Sequence, residues 1–247
     1  MWGIGSKTTI KTLDKTNHQW IRSKGLLPKR FKTYKAQLGY KQISCWYSTL
    51  YVDYLKVGVK SVIQFIGGNL YNNKLGFNNF FPCSNETSAE TGHTIRVFIW
   101  LVDLPPTLHS DNNKNSKEGI FKQLLQNFGI IPTYTEPQST WQNRAGPTIG
   151  EVKRHKRKLM LESNTTIHLW WFCYDYTTDT IYLCDTGCFE LLGRTPYEIV
   201  MNYTPDISEY ALFSWFQWSW LYGESLKSKQ LCKWLRPANG VGQEFCP

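Results

Sequence analysis

Short segments rich in β-branched and aromatic residues constrain the fold of this chain more than any other feature of its sequence. The clearest is TIRVFIWLVDLPP, residues 94–106, an apolar run that stops at an aspartate and two prolines. Such a run is typical of a buried strand, and the aromatic content of 15% also favours strands. Further segments are predicted as strands for the same reason: 41–52, 57–71, 150–163, 165–175, 180–187 and 209–223.

Residues 116–129, SKEGIFKQLLQNFG, show the clearest periodicity of a helix. Apolar residues recur at helical spacing, Ser116 is suited to cap the start, and Gly129 is suited to end it. Strands do not alternate with long helices elsewhere, which disfavours a parallel α/β sheet. The sequence therefore predicts a mainly β fold, an antiparallel jelly-roll sandwich of about eight strands with one or two short helices.

The basic charge of the chain is concentrated at its start. Residues 1–41 contain ten lysines and arginines against a single acid, Asp14, so their net charge is +9. The whole chain also carries +9, which leaves residues 42–247 neutral. We expect a basic N-terminal arm (1–41), a jelly-roll domain (42–223) and a C-terminal tail (224–247).

A basic arm on a neutral body is typical of a protein that binds polyanions, because lysine and arginine displace the counterions of phosphates. Two groups are the predicted nucleic-acid-binding residues: Lys24, Lys29, Arg30, Lys32 and Lys35 in the arm, and Lys153, Arg154, Lys156, Arg157 and Lys158 in a predicted strand. The arm could instead serve only solubility or nuclear targeting. The second group could instead protect an edge strand from misassociation.

Cysteine usage and hydropathy narrow the class of protein further. The seven cysteines are dispersed and form no CxxC pair, so neither a disulfide framework nor a zinc site is expected. No metal or other cofactor is predicted. No apolar run is long enough to span a bilayer, and the first residues lack the apolar core of a secretory signal. These features predict an intracellular, soluble protein that does not contact membranes.

The order of the predicted strands resembles that of the capsid proteins of small circular single-stranded DNA viruses, of geminivirus and circovirus type. The resemblance rests on VGVKSVIQFIGG, TIRVFIWLVDLPP, GEVKRHKRKLML and IHLWWFCYDYTTDTIYLCD. It implies a self-assembling icosahedral shell of identical subunits whose basic arm packages single-stranded DNA without sequence preference. The expected location is then the virion and the host nucleus or cytoplasm. The arm departs from the family pattern because it is rich in lysine rather than arginine.

A second resemblance points to an enzyme. The segment SCWYSTL looks like the nucleophile segment of papain-like cysteine proteases. It implies Cys45 as the nucleophile, His168 as the base, Asp185 as the group that orients the imidazole, and Gln42 as the oxyanion donor. The residues after Cys45 favour a strand, however, whereas this family places a helix there. The charge partition makes the capsid the preferred hypothesis and the protease the alternative.

Overall fold

A mixed five-stranded sheet forms the centre of the protein. The computed structural model describes residues 6–15, 49–57, 67–184, 191, 193–221, 229–238 and 242–246. The strands are β1 (Leu50–Lys56), β2 (Gly67–Asn72), β3 (Asn78–Cys83), β4 (Thr107–Ser110) and β5 (Ile131–Tyr134), and their order across the sheet is β3-β2-β1-β4-β5. The first three strands are antiparallel, whereas β4 runs parallel to β1 and β5 runs parallel to β4.

Helices follow and separate the strands. They are α1 (Ser6–Lys15), α2 (Ser88–Leu101), α3 (Lys114–Lys117), α4 (Gly119–Asn127), α5 (Ala145–Glu162), α6 (Trp170–Leu183), α7 (Pro196–Met201) and α8 (Ser208–Leu212). Short 3-10 turns at Thr140–Gln142 and Ile167–Leu169 precede α5 and α6. No helix in the described ranges is long and apolar enough to cross a membrane.

The hairpin between β2 and β3 shows how local chemistry sets the register of the sheet. The Asn73 carboxamide oxygen accepts hydrogen bonds from the backbone N–H groups of Leu75 and Phe77 at 2.9 and 3.0 Å. Gly76 supplies the positive φ, +88°, that the turn requires. The turn thereby places Asn72 opposite Asn78 and fixes the pairing of the two strands.

The sheet separates two hydrophobic cores, because successive side chains of a strand point to opposite faces. Leu50 and Val52 of β1 pack on one face with residues of α2 and α4. Leu55 packs on the other face with residues of α5 and α6. The protein is therefore a three-layer α/β/α structure, and the odd-numbered residues of β1 lie on the face that α5 and α6 cover.

A smaller antiparallel sheet packs on α6. It consists of β6 (Trp218–Leu221), β7 (Gln230–Ala238) and β8 (Gly242–Cys246) in sequential order. Trp234 of β7 is fully buried in the same core as Trp170 and Tyr176 of α6. This sheet is thus continuous with the main body, and two of its strands come from the segment predicted as a tail.

The prediction of a jelly roll is wrong, because several predicted strands are helices. Residues 94–106 contribute the second half of α2, 150–163 belong to α5, and 165–175 and 180–187 provide much of α6. The aromatic residues of α6, such as Trp170 and Tyr176, are held in a helix by their burial in the core that α6 shares with α5 and β7, and its threonine hydroxyls find partners within the helix. Thr177 and Thr178 donate to the carbonyls of Cys173 and Tyr174, four residues earlier.

The structure confirms some of the other predicted elements and corrects the rest. The helix predicted over 116–129 is confirmed from Gly119 to Asn127 by α4, but the predicted cap Ser116 lies inside α3, and Glu118 separates the two helices. Residues 41–52 and 57–71 contribute the start of β1 and most of β2, while 41–48 and 58–66 lie outside the described residues. The segment 209–223 is part helix, in α8, and part strand, in β6.

Candidate functional site

Two aspartates meet where β1 and β4 run side by side. The parallel register places Val52 opposite Ser110, so Asp53 and Asp111 are the next residues along the two strands. Asp53 lies within β1, and Asp111 comes directly after β4 ends. Both are partly exposed. The sheet therefore holds two carboxylates next to each other at a surface that solvent reaches.

The electrostatics of this pair disfavour two negative charges. Burial, followed by the negative charge of Asp111, raises the pKa of Asp53 to about 6. A hydrogen bond from the Tyr54 backbone N–H, 2.8 Å from Asp53 Oδ1, and the positive charge of Lys153 act in the opposite direction but do not cancel the rise. Ionisation of Asp53 therefore carries a free-energy cost that a bound cation would reduce.

Asn143 joins the pair to the third element of the site, the start of α5. This asparagine is buried, and its Nδ2 donates to Asp111 Oδ1 at 2.8 Å and to the Val52 carbonyl at 3.1 Å. Its Oδ1 accepts a hydrogen bond from the Ala145 N–H at 3.1 Å. One side chain therefore fixes β1, Asp111 and the first turn of α5 relative to one another.

A second polar network supports Asp111 from β5. Thr135 Oγ1 lies 3.4 Å from Asp111 Oδ1, and His109 Nε2 lies 3.2 Å from the same hydroxyl. The other ring nitrogen of His109 bonds to Thr133 Oγ1 at 2.9 Å. Burial lowers the pKa of His109 although the charge of Asp111 acts in the opposite direction, so the protein disfavours a positive charge on this imidazole beside the pair.

The surface beside the pair is open and extends in two directions. A cleft of about 290 Å³ next to Asp111 is lined also by Asn112, Asn113, Thr135, Glu136 and Thr140. On the opposite side the exposed face of α5 begins at Gly146. A Cβ atom built on Gly146 would lie 3.7 Å from Asp53 Oδ2, and one built on Gly150 would meet nothing within 4 Å.

Residues 146, 150, 153 and 157 recur at intervals of four, three and four, so they follow one face of α5. We call this face the glycine–lysine stripe: Gly146, Gly150, Lys153 and Arg157. Lys153 and Arg157 are exposed and form no ion pair with any described residue. Along this face of α5, the two glycines lie nearer to the carboxylates, and the two exposed basic side chains lie further along the helix.

The chemistry of the pair suits one divalent cation. Carboxylate oxygens are the ligands that Mg²⁺ and Mn²⁺ prefer, and Mg²⁺ commonly binds one or two carboxylates and completes its shell with water and phosphate. No group of three or more His, Cys, Asp or Glu side chains in the described ranges is arranged to hold a metal ion. Asp53 and Asp111 thus fit a single cation with several ligand positions left over.

Sequence reasoning missed both aspartates. The segment YVDYL places one acid inside an apolar strand, and LHSD places one directly after a short strand. A polar residue at the carboxyl end of a parallel strand is a common signature of a site in α/β proteins. The predicted strand 41–52 stops one residue before Asp53, and Asp111 lies outside all of the predicted strands.

The predicted nucleic-acid-binding residues divide into two groups. Lys24, Lys29, Arg30, Lys32 and Lys35 lie outside the described residues. The second group lies on α5 rather than on a strand, because residues such as Val152 and Leu159 of this segment are buried at helical spacing. Arg154 and Lys158 face away from the stripe, and Lys156 lies over the ring of Tyr174.

The residues of the predicted protease triad are not brought together by any described contact. Cys45, Gln42 and Asp185 lie outside the described residues. His168 is exposed in the 3-10 turn that leads into α6, and the segments 165–175 and 180–187, predicted as two strands, contribute to this one helix.

Comparisons with known proteins agree with this architecture. No protein-family model matches the chain, and no curated protein matches it significantly in sequence. A chain from the structure of the simian T-cell lymphotropic virus intasome, in complex with the PP2A regulatory subunit B56 gamma, is similar with a TM-score of 0.53 and 15% identity, over 81% of this chain and 75% of that chain. The HTLV-2 integrase catalytic core domain in complex with magnesium is similar with a TM-score of 0.48 and 14% identity, over 63% of this chain and 95% of that chain.

The similarity to the intasome chain shows a shared fold. It overturns the capsid hypothesis, because that hypothesis requires a jelly roll and this chain has a mixed sheet between helical layers. The prediction of a self-assembling shell that packages DNA is therefore also wrong. The papain-like alternative is also unsupported, since the fold belongs to neither class. The predicted location in a virion, nucleus or cytoplasm stays untested.

Proposed function

We propose that this chain handles nucleic acid through a divalent cation held between Asp53 and Asp111. The observation that carries the proposal is the pair itself: two neighbouring carboxylates, one on β1 and one directly after the parallel strand β4, with the pKa of Asp53 raised to about 6 and, among the described residues, no ion pair with a basic side chain. The shared fold with an intasome chain supports nucleic acid as the ligand class.

A cation at this position supplies a positive centre that neutralises the carboxylates and polarises the oxygens of a bound phosphate. The protein's own residues do the positioning. Asn143 orients Asp111 by its hydrogen bond of 2.8 Å, and the Tyr54 N–H orients Asp53. The second carboxylate oxygen of Asp53, Oδ2, lies beside Gly146, where no side chain covers it.

The glycine–lysine stripe provides the path for the phosphate backbone. Gly146 and Gly150 carry no side chain, so a strand of nucleic acid can approach the helix closely there. Lys153 and Arg157 then contact phosphates further along the strand. Because phosphates carry no sequence information, this binding is non-specific in sequence. The lysines and arginines of residues 1–41 add further phosphate contacts.

Self-association and location stay predictions under this proposal. The described surface contains exposed tryptophans, such as Trp100 at 76% and Trp141 at 76% exposure. No partner is assigned to them.

The test is DNA binding with and without a divalent cation. Fluorescence anisotropy of a labelled DNA duplex is measured for the wild type and for Asp53→Asn, in Mg²⁺ and in EDTA. In EDTA, Asp53→Asn binds more tightly than the wild type, because one charge that repels phosphate is gone. In Mg²⁺ the order reverses, because the variant has lost a ligand. Glu162→Gln removes an acid at the far end of α5 and serves as the matched control.

A crossing of the two affinities supports the proposal. Equal enhancement by Mg²⁺ in the wild type and in Asp53→Asn would place the cation elsewhere. A wild type with no affinity for DNA in either condition would remove nucleic acid as the ligand.

A further inference from the structure

The position that faces the carboxylate pair from α5 has no side chain. Asn143 fixes the first turn of α5 against Asp111 and the Val52 carbonyl, so the direction of each side chain in that turn is set. At Gly146 this direction leads to Asp53: among the described residues outside this turn of the helix, the heavy atom that lies within 4 Å of a Cβ built there is Asp53 Oδ2, at 3.7 Å.

Nothing in the backbone requires glycine at this position. Gly146 lies within the helix and does not have a positive φ. Glycine is a poor helix former, and within the described ranges a Cβ at residue 146 would meet no backbone atom outside its own helix within 4 Å. A longer side chain at residue 146 would therefore fit, and its end would reach the space beside the two aspartates.

We infer that position 146 is the third ligand position of the cation site, and that glycine leaves the site short of a ligand. This inference rests on the proposed function. Phosphodiester chemistry by two metal ions needs carboxylates for both ions, whereas Asp53 and Asp111 suffice for one. The chain therefore binds nucleic acid but cleaves it poorly, and a carboxylate at residue 146 restores cleavage.

The reaction that the restored site performs is hydrolysis of a phosphodiester. The oxygen of a water molecule forms a bond to phosphorus, and the bond between phosphorus and the 3′-oxygen breaks. That oxygen takes the electron pair and the proton released by water. The products are a 3′-hydroxyl and a 5′-phosphate, and no oxidant or further reactant is consumed.

The experiment compares Gly146→Glu with the neutral, equally large Gly146→Gln in the full chain. Isothermal titration with Mn²⁺ alone measures cation affinity, and a labelled DNA duplex measures cleavage. Gly146→Glu binds Mn²⁺ about tenfold more tightly than the wild type, because an added charged ligand strengthens the site. Gly146→Gln gains much less. Cleavage rises only in Gly146→Glu and is abolished by adding Asp53→Asn to it. Thermal melting confirms that each variant folds.

The outcomes separate this inference from the proposed function. If Mn²⁺ binds the wild type but not Asp53→Asn, and Gly146→Glu gains no more affinity than Gly146→Gln, residue 146 is not a ligand position and only this inference fails. If Asp53→Asn binds Mn²⁺ as the wild type does, the proposed site fails first. A wild type that cleaves DNA as fast as Gly146→Glu also overturns the inference.

Discussion

Two pairs of acidic residues in this protein have opposite surroundings. Asp175 and Asp179, one turn apart on α6, face the buried guanidinium of Arg236 from β7, with Nη1 at 3.0 and 3.6 Å from their Oδ2 atoms. Tyr210 donates a further hydrogen bond to Asp179 at 2.8 Å. Asp53 and Asp111 form no ion pair with a basic side chain in the part of the chain that the structure describes, although the register of β1 and β4 also makes them neighbours.

The surroundings indicate a structural role for the pair on α6 and a ligand-binding role for Asp53 and Asp111. The α6 pair is compensated within the protein, so it joins the small sheet to the main body and needs no ligand. The pair formed by Asp53 and Asp111 is compensated only in part: burial and then the charge of Asp111 raise the pKa of Asp53, and the positive charge of Lys153 does not cancel that rise. A carboxyl group whose pKa is raised in this way is a candidate for binding a positively charged ligand.

Removal of the base from the compensated pair has the largest expected effect. Arg236→Met leaves two buried carboxylates without their partner, so the free energy of unfolding falls by about 3–5 kcal/mol. Urea denaturation measures this loss. The same change at exposed Lys229 costs little. A loss below about 1 kcal/mol for Arg236→Met would mean that the ion pair does not join the two sheets.

Removal of an acid from the partly compensated pair has the opposite sign. The pKa of Asp53 in the folded protein, about 6, exceeds its ordinary value of 3.8, so ionisation of this carboxyl destabilises the fold as pH rises between these values. Without divalent cations, Asp53→Asn is therefore more stable than the wild type at pH 7, by up to about 3 kcal/mol. The gain disappears near pH 4.

Thermal melting in EDTA at both pH values measures this difference. Asp206→Asn, a change at a carboxylate remote from the pair, controls for the loss of a charge. A wild type more stable than Asp53→Asn at pH 7 in EDTA would show that Asp53 is already compensated.

The smallest expected effect concerns the stripe beside the partly compensated pair. Lys153→Glu with Arg157→Glu weakens DNA binding and reduces the slope of log affinity against log salt by about two, since two phosphate contacts are lost. Arg154→Glu with Lys158→Glu makes the same change of charge on another face of α5. Equal losses in the two double variants would indicate a diffuse basic surface in place of a defined path.

The sequence predicted the α4 helix because its periodicity is amphipathic and local. It failed for α2 and α6 because their β-branched and aromatic residues are packed by contacts distant in sequence, which override local propensity. Residues 150–163 were predicted as a strand, although Ile149, Val152 and Leu159 have the spacing of one face of a helix. These three residues are buried on that face of α5. A charge partition bears on partners and carries no information about fold.

The candidate site could be predicted only in part. An aspartate within YVDYL and one after LHS were visible in the sequence, but their pairing depends on the parallel register of β1 and β4. The direction of residue 146 depends on the contacts of Asn143. These contacts join residues that are far apart in sequence: Asn143 is 91 residues from Val52 and 32 residues from Asp111.

The most direct test of the account is a count of bound cations. Electron paramagnetic resonance follows free Mn²⁺ during its titration into the full chain at pH 7, with Asp53→Asn and Asp111→Asn measured in parallel. The account predicts one Mn²⁺ per wild-type chain and a loss of that binding in both variants. Wild-type binding that survives in both variants, or no binding at all, would contradict the claim that the two aspartates form a cation site.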